Sequence, residues 1–130
     1  MYRLQVKAHF DAAHRLEAYK GKCNREHGHR WEVEVCLQGK DLDNRNMLVD
    51  FKDVKDALNF VIDTYLDHYQ LNEILGEDNP TAEFLAEWLF RQMKARAGKG
   101  LQVVRTCVWE SPECCVKYSP DMRSVSDGVS

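Results

Sequence analysis

The sequence predicts an α+β domain: a four-stranded antiparallel sheet with two helices on one face. Three observations predict it. Two early segments alternate apolar and polar residues, as strands with one buried face do. Two later segments repeat apolar residues every three and four positions, as amphipathic helices do. The chain then returns to strand-like runs joined by a short turn. The order strand–strand–helix–helix–strand–strand leaves both helices the same sheet face to cover. Short connections make the strands that pair as hairpins antiparallel.

Each element has its own signature. Residues 2–10 place Tyr2, Leu4, Val6, Ala8 and Phe10 on one side and Arg3, Gln5, Lys7 and His9 on the other. Residues 11–28 read as a polar, irregular stretch rich in potential ligands. Alternation resumes over 30–38, with Trp31, Val33, Val35 and Leu37 opposite Glu32, Glu34, Cys36 and Gln38. Gly39 to Asn46 is dense in chain-turning residues. A helix follows over about 52–66, where Val54, Leu58, Val61, Ile62 and Tyr65 form one stripe. Leu66 to Asn72 ends it, and Gly76 to Asn79 forms a second loop. Asn79-Pro80 suits a helix start, with Asn79 as cap and Pro80 in the first turn. That helix runs to about Arg96 and stops at Gly98. Strands at about 101–110 and 114–119, joined by Ser111-Pro112-Glu113, complete the set. No repeat, linker or low-complexity block divides residues 1–120, so they read as one domain. The polar tail, 121–130, is expected to be mobile.

Composition narrows the function classes. With 130 residues, 44% of them apolar, the chain is long enough for one ordinary core. A net charge of -3 argues against a general nucleic-acid binder. No apolar run approaches the ~20 residues of a membrane span, and Met1-Tyr2-Arg3-Leu4 leads straight into a strand rather than an export signal. Five cysteines, odd in number and irregularly spaced, fit reduced thiols in a cytoplasm. Cys36 and Cys107 read as buried small side chains. Cys114-Cys115 lacks the C-x-x-C pair that would accompany it in a structural zinc site. Between residues 14 and 31, Arg15, Lys20, Lys22, Arg25 and Arg30 outnumber Glu17 and Glu26. This is either a solvated loop or a seat for an anion such as phosphate.

The candidate chemistry centres on His14, His27 and His29. His27 and His29 are two residues apart and share a face if they lie on a strand. Three imidazoles without a fourth ligand describe a zinc site with an open position, the catalytic pattern. Cys23 is either a fourth ligand that closes the site or a thiolate base of lowered pKa beside the metal. Asp67-His68, where a helix ends, suits a proton relay or merely a helix terminus with a favourable histidine; adjacent side chains on a helix diverge and need not touch. Glu110 ends a strand, where a carboxylate can take two parallel N–H bonds from a planar heterocycle or simply face solvent. Thr81 reads most simply as part of a helix cap.

Together these pieces resemble the 6-pyruvoyl-tetrahydropterin synthase and 6-carboxy-tetrahydropterin synthase family. The pieces are Phe10-Asp11-Ala12-Ala13-His14-Arg15-Leu16, Cys23-x-x-x-His27-Gly28-His29, Val49-Asp50-Phe51, Leu66-Asp67-His68, Leu71-Asn72, Asn79-Pro80-Thr81-Ala82-Glu83 and Glu110-Ser111-Pro112. They fall in order over nearly the whole chain. The resemblance implies the tunnelling fold and an oligomer, typically a homohexamer built as a dimer of trimers, with sheets closed into barrels and active sites between subunits. It implies His14, His27 and His29 as Zn2+ ligands, Cys23 as general base, and Asp67 with His68 as the relay and proton donor. It implies Glu110 as anchor of the pterin ring, with Thr81 assisting. The three-residue spacing from Cys23 to His27 is similar to the bacterial and archaeal branch that makes 6-carboxy-5,6,7,8-tetrahydropterin toward queuosine and other deazapurines. The implied reaction is a lyase step on 7,8-dihydroneopterin triphosphate that releases acetaldehyde and triphosphate. The pyruvoyl synthase, which keeps the three-carbon side chain, is the alternative enzyme. A zinc-stabilised binding module is the non-enzymatic alternative. Ser111-Pro112 departs from the commoner Thr-Pro of the family.

Overall fold

The alternating segments pair as expected, and they pair further than expected. In the computed structural model, which describes residues 1–18 and 25–120, the strands are β1 (Tyr2–His14), β2 (His27–Gly39), β3 (Gln102–Ser111) and β4 (Cys114–Tyr118). The helices are α1 (Phe51–Tyr65), α2 (Leu71–Leu75) and α3 (Ala82–Lys94). Cys23 and the tail 121–130 lie outside the described residues. The sheet order is β1-β2-β3-β4, antiparallel throughout.

The stretch read as irregular from residue 11 is in part the end of the first hairpin. The β1–β2 ladder continues through Asp11↔Arg30, Ala12↔His29 and Ala13↔Gly28 to His14↔His27. Backbone pairing persists there because cross-strand partners replace apolar alternation. Arg30 donates two hydrogen bonds to the Asp11 carboxylate, at 3.0 and 3.1 Å.

One face of the sheet carries the core. Val6, Phe10, Trp31, Val33, Val35 and Val108 pack against Leu58, Val61 and Ile62 of α1 and Leu85, Ala86 and Leu89 of α3. Phe10 and Trp31 are cross-strand partners with stacked rings, centroids 6.0 Å apart. On the other face, Glu34, Cys36, Arg105 and Cys107 of the two inner strands are also buried, Glu34 lying 4.0 Å from Arg105. The expectation of buried thiols at 36 and 107 therefore holds, and burial pushes the Cys107 thiol up to about 12. No helix among the described residues is long and apolar enough to cross a membrane.

The helix starts depend on local polar contacts. Asp50 caps α1, its carboxylate accepting from Lys52 N. The expected cap of α3, Asn79, is displaced by Thr81: Thr81 Oγ1 accepts from Phe84 N at 3.1 Å, and Pro80 precedes the cap. Asn79 Oδ1 instead accepts from Ala18 N at 2.9 Å, tying the loop after β1 to the helix. Thr81→Ala is expected to lower stability by about 1 kcal/mol, and Thr81→Ser to restore most of it, as measured by urea denaturation. The short α2, which sequence periodicity did not reveal, ends at Gly76 with φ +62, a left-handed turn that glycine adopts without strain.

Candidate metal centre

The last rungs of the hairpin bring the three histidines together. His14 ends β1, His27 starts β2 directly opposite, and His29 follows on the same face. The Nε2 atoms of His14 and His27 are 3.1 Å apart, and those of His14 and His29 are 3.4 Å apart. Glu110 reaches the group from β3, where the register shifts between Trp109 and Ser111. Its Oε1 lies 3.3 Å from His14 Nε2 and 3.9 Å from His29 Nε2. One ligand atom from each of the four residues falls within 4.8 Å of the others, so the cluster could hold a metal ion. Trp31 forms the floor, with its ring 4.9 Å from His14 and 4.3 Å from His29.

Hydrogen bonding sets which nitrogen faces inward. His14 Nδ1 lies 2.9 Å from the Pro80 carbonyl, and His27 Nδ1 lies 2.9 Å from the Arg25 carbonyl. A carbonyl oxygen only accepts, so both Nδ1 atoms carry the proton. In neutral rings the two Nε2 lone pairs then face each other across 3.1 Å with no hydrogen between them. That arrangement is repulsive unless a cation lies between them. Burial pushes the His14 imidazole below its ordinary range, outweighing the hydrogen bond to Pro80, which acts the other way. The donor set therefore fits a divalent ion of the zinc type: three converging imidazoles, two of them oriented by carbonyls on their outer nitrogens.

The supports of the site carry little sequence signal. The Pro80 carbonyl orients His14, yet a backbone acceptor has no residue signature. Asn72 acts as an artificial strand partner: its Oδ1 accepts from Arg15 N at 2.9 Å, and its Nδ2 donates to Arg15 O at 2.9 Å and to Asp78 O at 3.0 Å. It fixes the backbone just beyond His14. The motif Leu71-Asn72 was visible, but this role was not. Thr81 adjoins Pro80, with its hydroxyl engaged in the helix cap.

Asp67 and His68 do touch, contrary to the expectation for neighbours on a helix. α1 ends before them, and His68 takes φ +63. This left-handed backbone, which costs a non-glycine residue roughly 1–2 kcal/mol, turns His68 Nδ1 to within 3.0 Å of Asp67 Oδ2. Two hydrogen bonds to β1 hold the turn: His68 N donates to Asp11 O at 2.7 Å, and Asp11 N donates to Asp67 Oδ1 at 3.0 Å. Asp11, Asp67 and His68 form a second cluster, separate from that of His14. It lies along the outer edge of β1, and the His68 side chain is 78% exposed.

Known proteins resemble this chain over most of its length. The chain matches the family described as 6-pyruvoyl tetrahydropterin synthase over residues 3–121. The 6-carboxy-5,6,7,8-tetrahydropterin synthase of Synechocystis is 34% identical over 127 residues, covering 92% of this chain and 98% of that protein. A putative 6-carboxy-5,6,7,8-tetrahydropterin synthase of Archaeoglobus fulgidus is 37% identical over 108 residues, 83% of this chain and 87% of that one. The solved 6-pyruvoyl tetrahydropterin synthase of Caenorhabditis elegans matches with a TM-score of 0.79 and 25% identity, over 92% of this chain and 96% of that one. A hairpin that ends in three converging imidazoles, on a sheet shared with these proteins and in a chain matched almost from end to end, belongs to the 6-pyruvoyl tetrahydropterin synthase family.

Proposed function

We propose that the protein is a zinc-dependent lyase converting 7,8-dihydroneopterin triphosphate and one water to 6-carboxy-5,6,7,8-tetrahydropterin, with release of acetaldehyde and triphosphate, on a route to queuosine and related deazapurines. The observation that carries the reading is the convergence of three imidazole Nε2 atoms, in a chain 34% identical to a relative named for that product. When bound, the zinc ion would supply positive charge that acidifies a substrate hydroxyl and polarises a carbonyl.

The chain's own groups divide the remaining work. His14, His27 and His29 hold the ion, with His14 oriented by the Pro80 carbonyl and His27 by the Arg25 carbonyl. Cys23 serves as the base that takes a proton from the side chain of the substrate. Asp67 and His68, in contact at 3.0 Å, return a proton to the ring system. The side chain is oxidised as the ring is reduced, so no nicotinamide is required. Glu110 accepts the amino and ring N–H groups of the pterin, with Thr81 assisting at that end. Basic residues between Arg15 and Arg30 receive the triphosphate.

The relay supports an assembled enzyme. Asp11, which anchors the relay, and His14, which belongs to the metal cluster, are three residues apart on one strand and point to opposite faces. A relay on the outer edge of β1 suits the site of a neighbouring subunit. We read residues 1–120 as one domain of a cytoplasmic homohexamer, a dimer of trimers, acting on a small molecule with no nucleic-acid or membrane partner.

The test is to incubate zinc-loaded protein with 7,8-dihydroneopterin triphosphate and identify products by mass. Acetaldehyde and the carboxylate support the proposal. A product that retains three side-chain carbons identifies a pyruvoyl synthase instead. No turnover, with unfolding on chelation, identifies a zinc-stabilised module.

A further inference from the structure

We infer that Glu110 has two alternative seats: in the substrate-free protein its carboxylate is the fourth ligand of the ion held by His14, His27 and His29, and it leaves that position to take the pterin ring. The inference rests on the zinc and pterin reading above and adds an exchange that couples ring binding to opening of the metal site.

The distances carry it. A four-coordinate tetrahedral ion with bonds of about 2.0–2.1 Å places neighbouring ligand atoms roughly 3.3–3.4 Å apart. His14 Nε2 stands 3.1 Å from His27 Nε2, 3.4 Å from His29 Nε2 and 3.3 Å from Glu110 Oε1. The fourth measured edge, His29 to Glu110, is 3.9 Å. Three of these four edges match a tetrahedral site and the fourth is longer, so Glu110 stands where a fourth ligand would. His14 Nδ1 faces the Pro80 carbonyl, which leaves Nε2 to face the Glu110 carboxylate and the other imidazoles.

The same carboxylate is free to move. Glu110 is 42% exposed, and its only contacts of ion-pair length among the described residues are to the two histidines. Four protein ligands leave a zinc site closed, whereas three leave a position for substrate. A planar amino-pyrimidine edge offers a carboxylate two parallel N–H groups. Binding of the ring would draw Glu110 from the ion and vacate the position that the substrate side chain needs. The ion then opens only when the ring is seated.

The test uses the cobalt-substituted protein, whose visible absorption reports the number and type of ligands. Neopterin is the probe for the ring, and chelator competition measures affinity for zinc. Glu110→Ala and Glu110→Gln are expected to change the cobalt spectrum and to weaken zinc binding at least about tenfold. Neopterin is expected to move the wild-type spectrum toward that of Glu110→Ala. Circular dichroism checks that each variant folds, and the half-exposed position makes the Gln variant the milder control. An unchanged spectrum in both variants, with affinity within about twofold of wild type, overturns the inference. So does a wild-type spectrum that neopterin leaves unaltered. Failure of wild-type protein to bind one cobalt per chain would instead bring down the metal reading on which the inference rests.

Discussion

His27→Ala is expected to abolish stoichiometric zinc binding and reduce turnover by roughly 10³-fold or more while leaving the domain folded. His27 is one of the three imidazoles of the candidate metal site. Losing the ion removes several kcal/mol of charge stabilisation from the reaction, and each 1.36 kcal/mol is tenfold in rate. The fold has a separate source of stability. Its core is built from Trp31, Val33, Val35, Leu58, Ile62 and Leu89, on the helix-covered part of the sheet. His27 is the last rung of the β1–β2 ladder and is only partly buried, so its loss opens no cavity in that core. Metal analysis, circular dichroism and a turnover assay on one preparation check all three statements. Unfolding of the variant, or of wild-type protein on chelation, would mean that the metal holds the domain together. The zinc-stabilised module would then become the better account.

How far the sequence reaches depends on what each residue's neighbours contribute. Period-two and period-three-or-four patterns are visible wherever one face is apolar, which is why four strands and two long helices could be read. The hairpin end could not. There Asp11 faces Arg30, and Gly28 faces Ala13, so backbone pairing continues after apolar alternation stops. α2 is five residues long, less than two turns, and shows no period. The cap of α3 lay between two plausible residues. Thr81 takes it, while the Asn79 side chain binds Ala18 N.

The metal cluster was legible from residue types, because three histidines at this spacing are rare and two share a strand face. Its supports were not. Pro80 acts through its carbonyl, and Asn72 acts on the backbone of Arg15 across the fold. The Asp67–His68 contact depends on a positive φ that no residue type announces. Glu110 stood out as a strand-end carboxylate, but its approach to His14 follows from a register shift in β3.

Cys23→Ala is expected to keep its zinc and lose about 10²–10⁴ in turnover, the usual contribution of one general base. Sequence left Cys23 with two roles, ligand or base. Glu110 now bears on that choice. With Glu110 as the fourth ligand, as inferred above, the substrate-free ion would have four protein ligands without a sulfur. A thiolate added to them would have to displace Glu110 or one histidine. As a base, Cys23 needs only to reach the substrate side chain, and its loss leaves the metal contacts unchanged. Zinc content and turnover of the variant therefore separate the roles in one experiment. Loss of zinc together with activity would make Cys23 the fourth ligand, and would return Glu110 to ring binding alone. Retained zinc with turnover near wild type would move the proton-abstracting role to another residue, with His68, already in contact with Asp67, the first to examine.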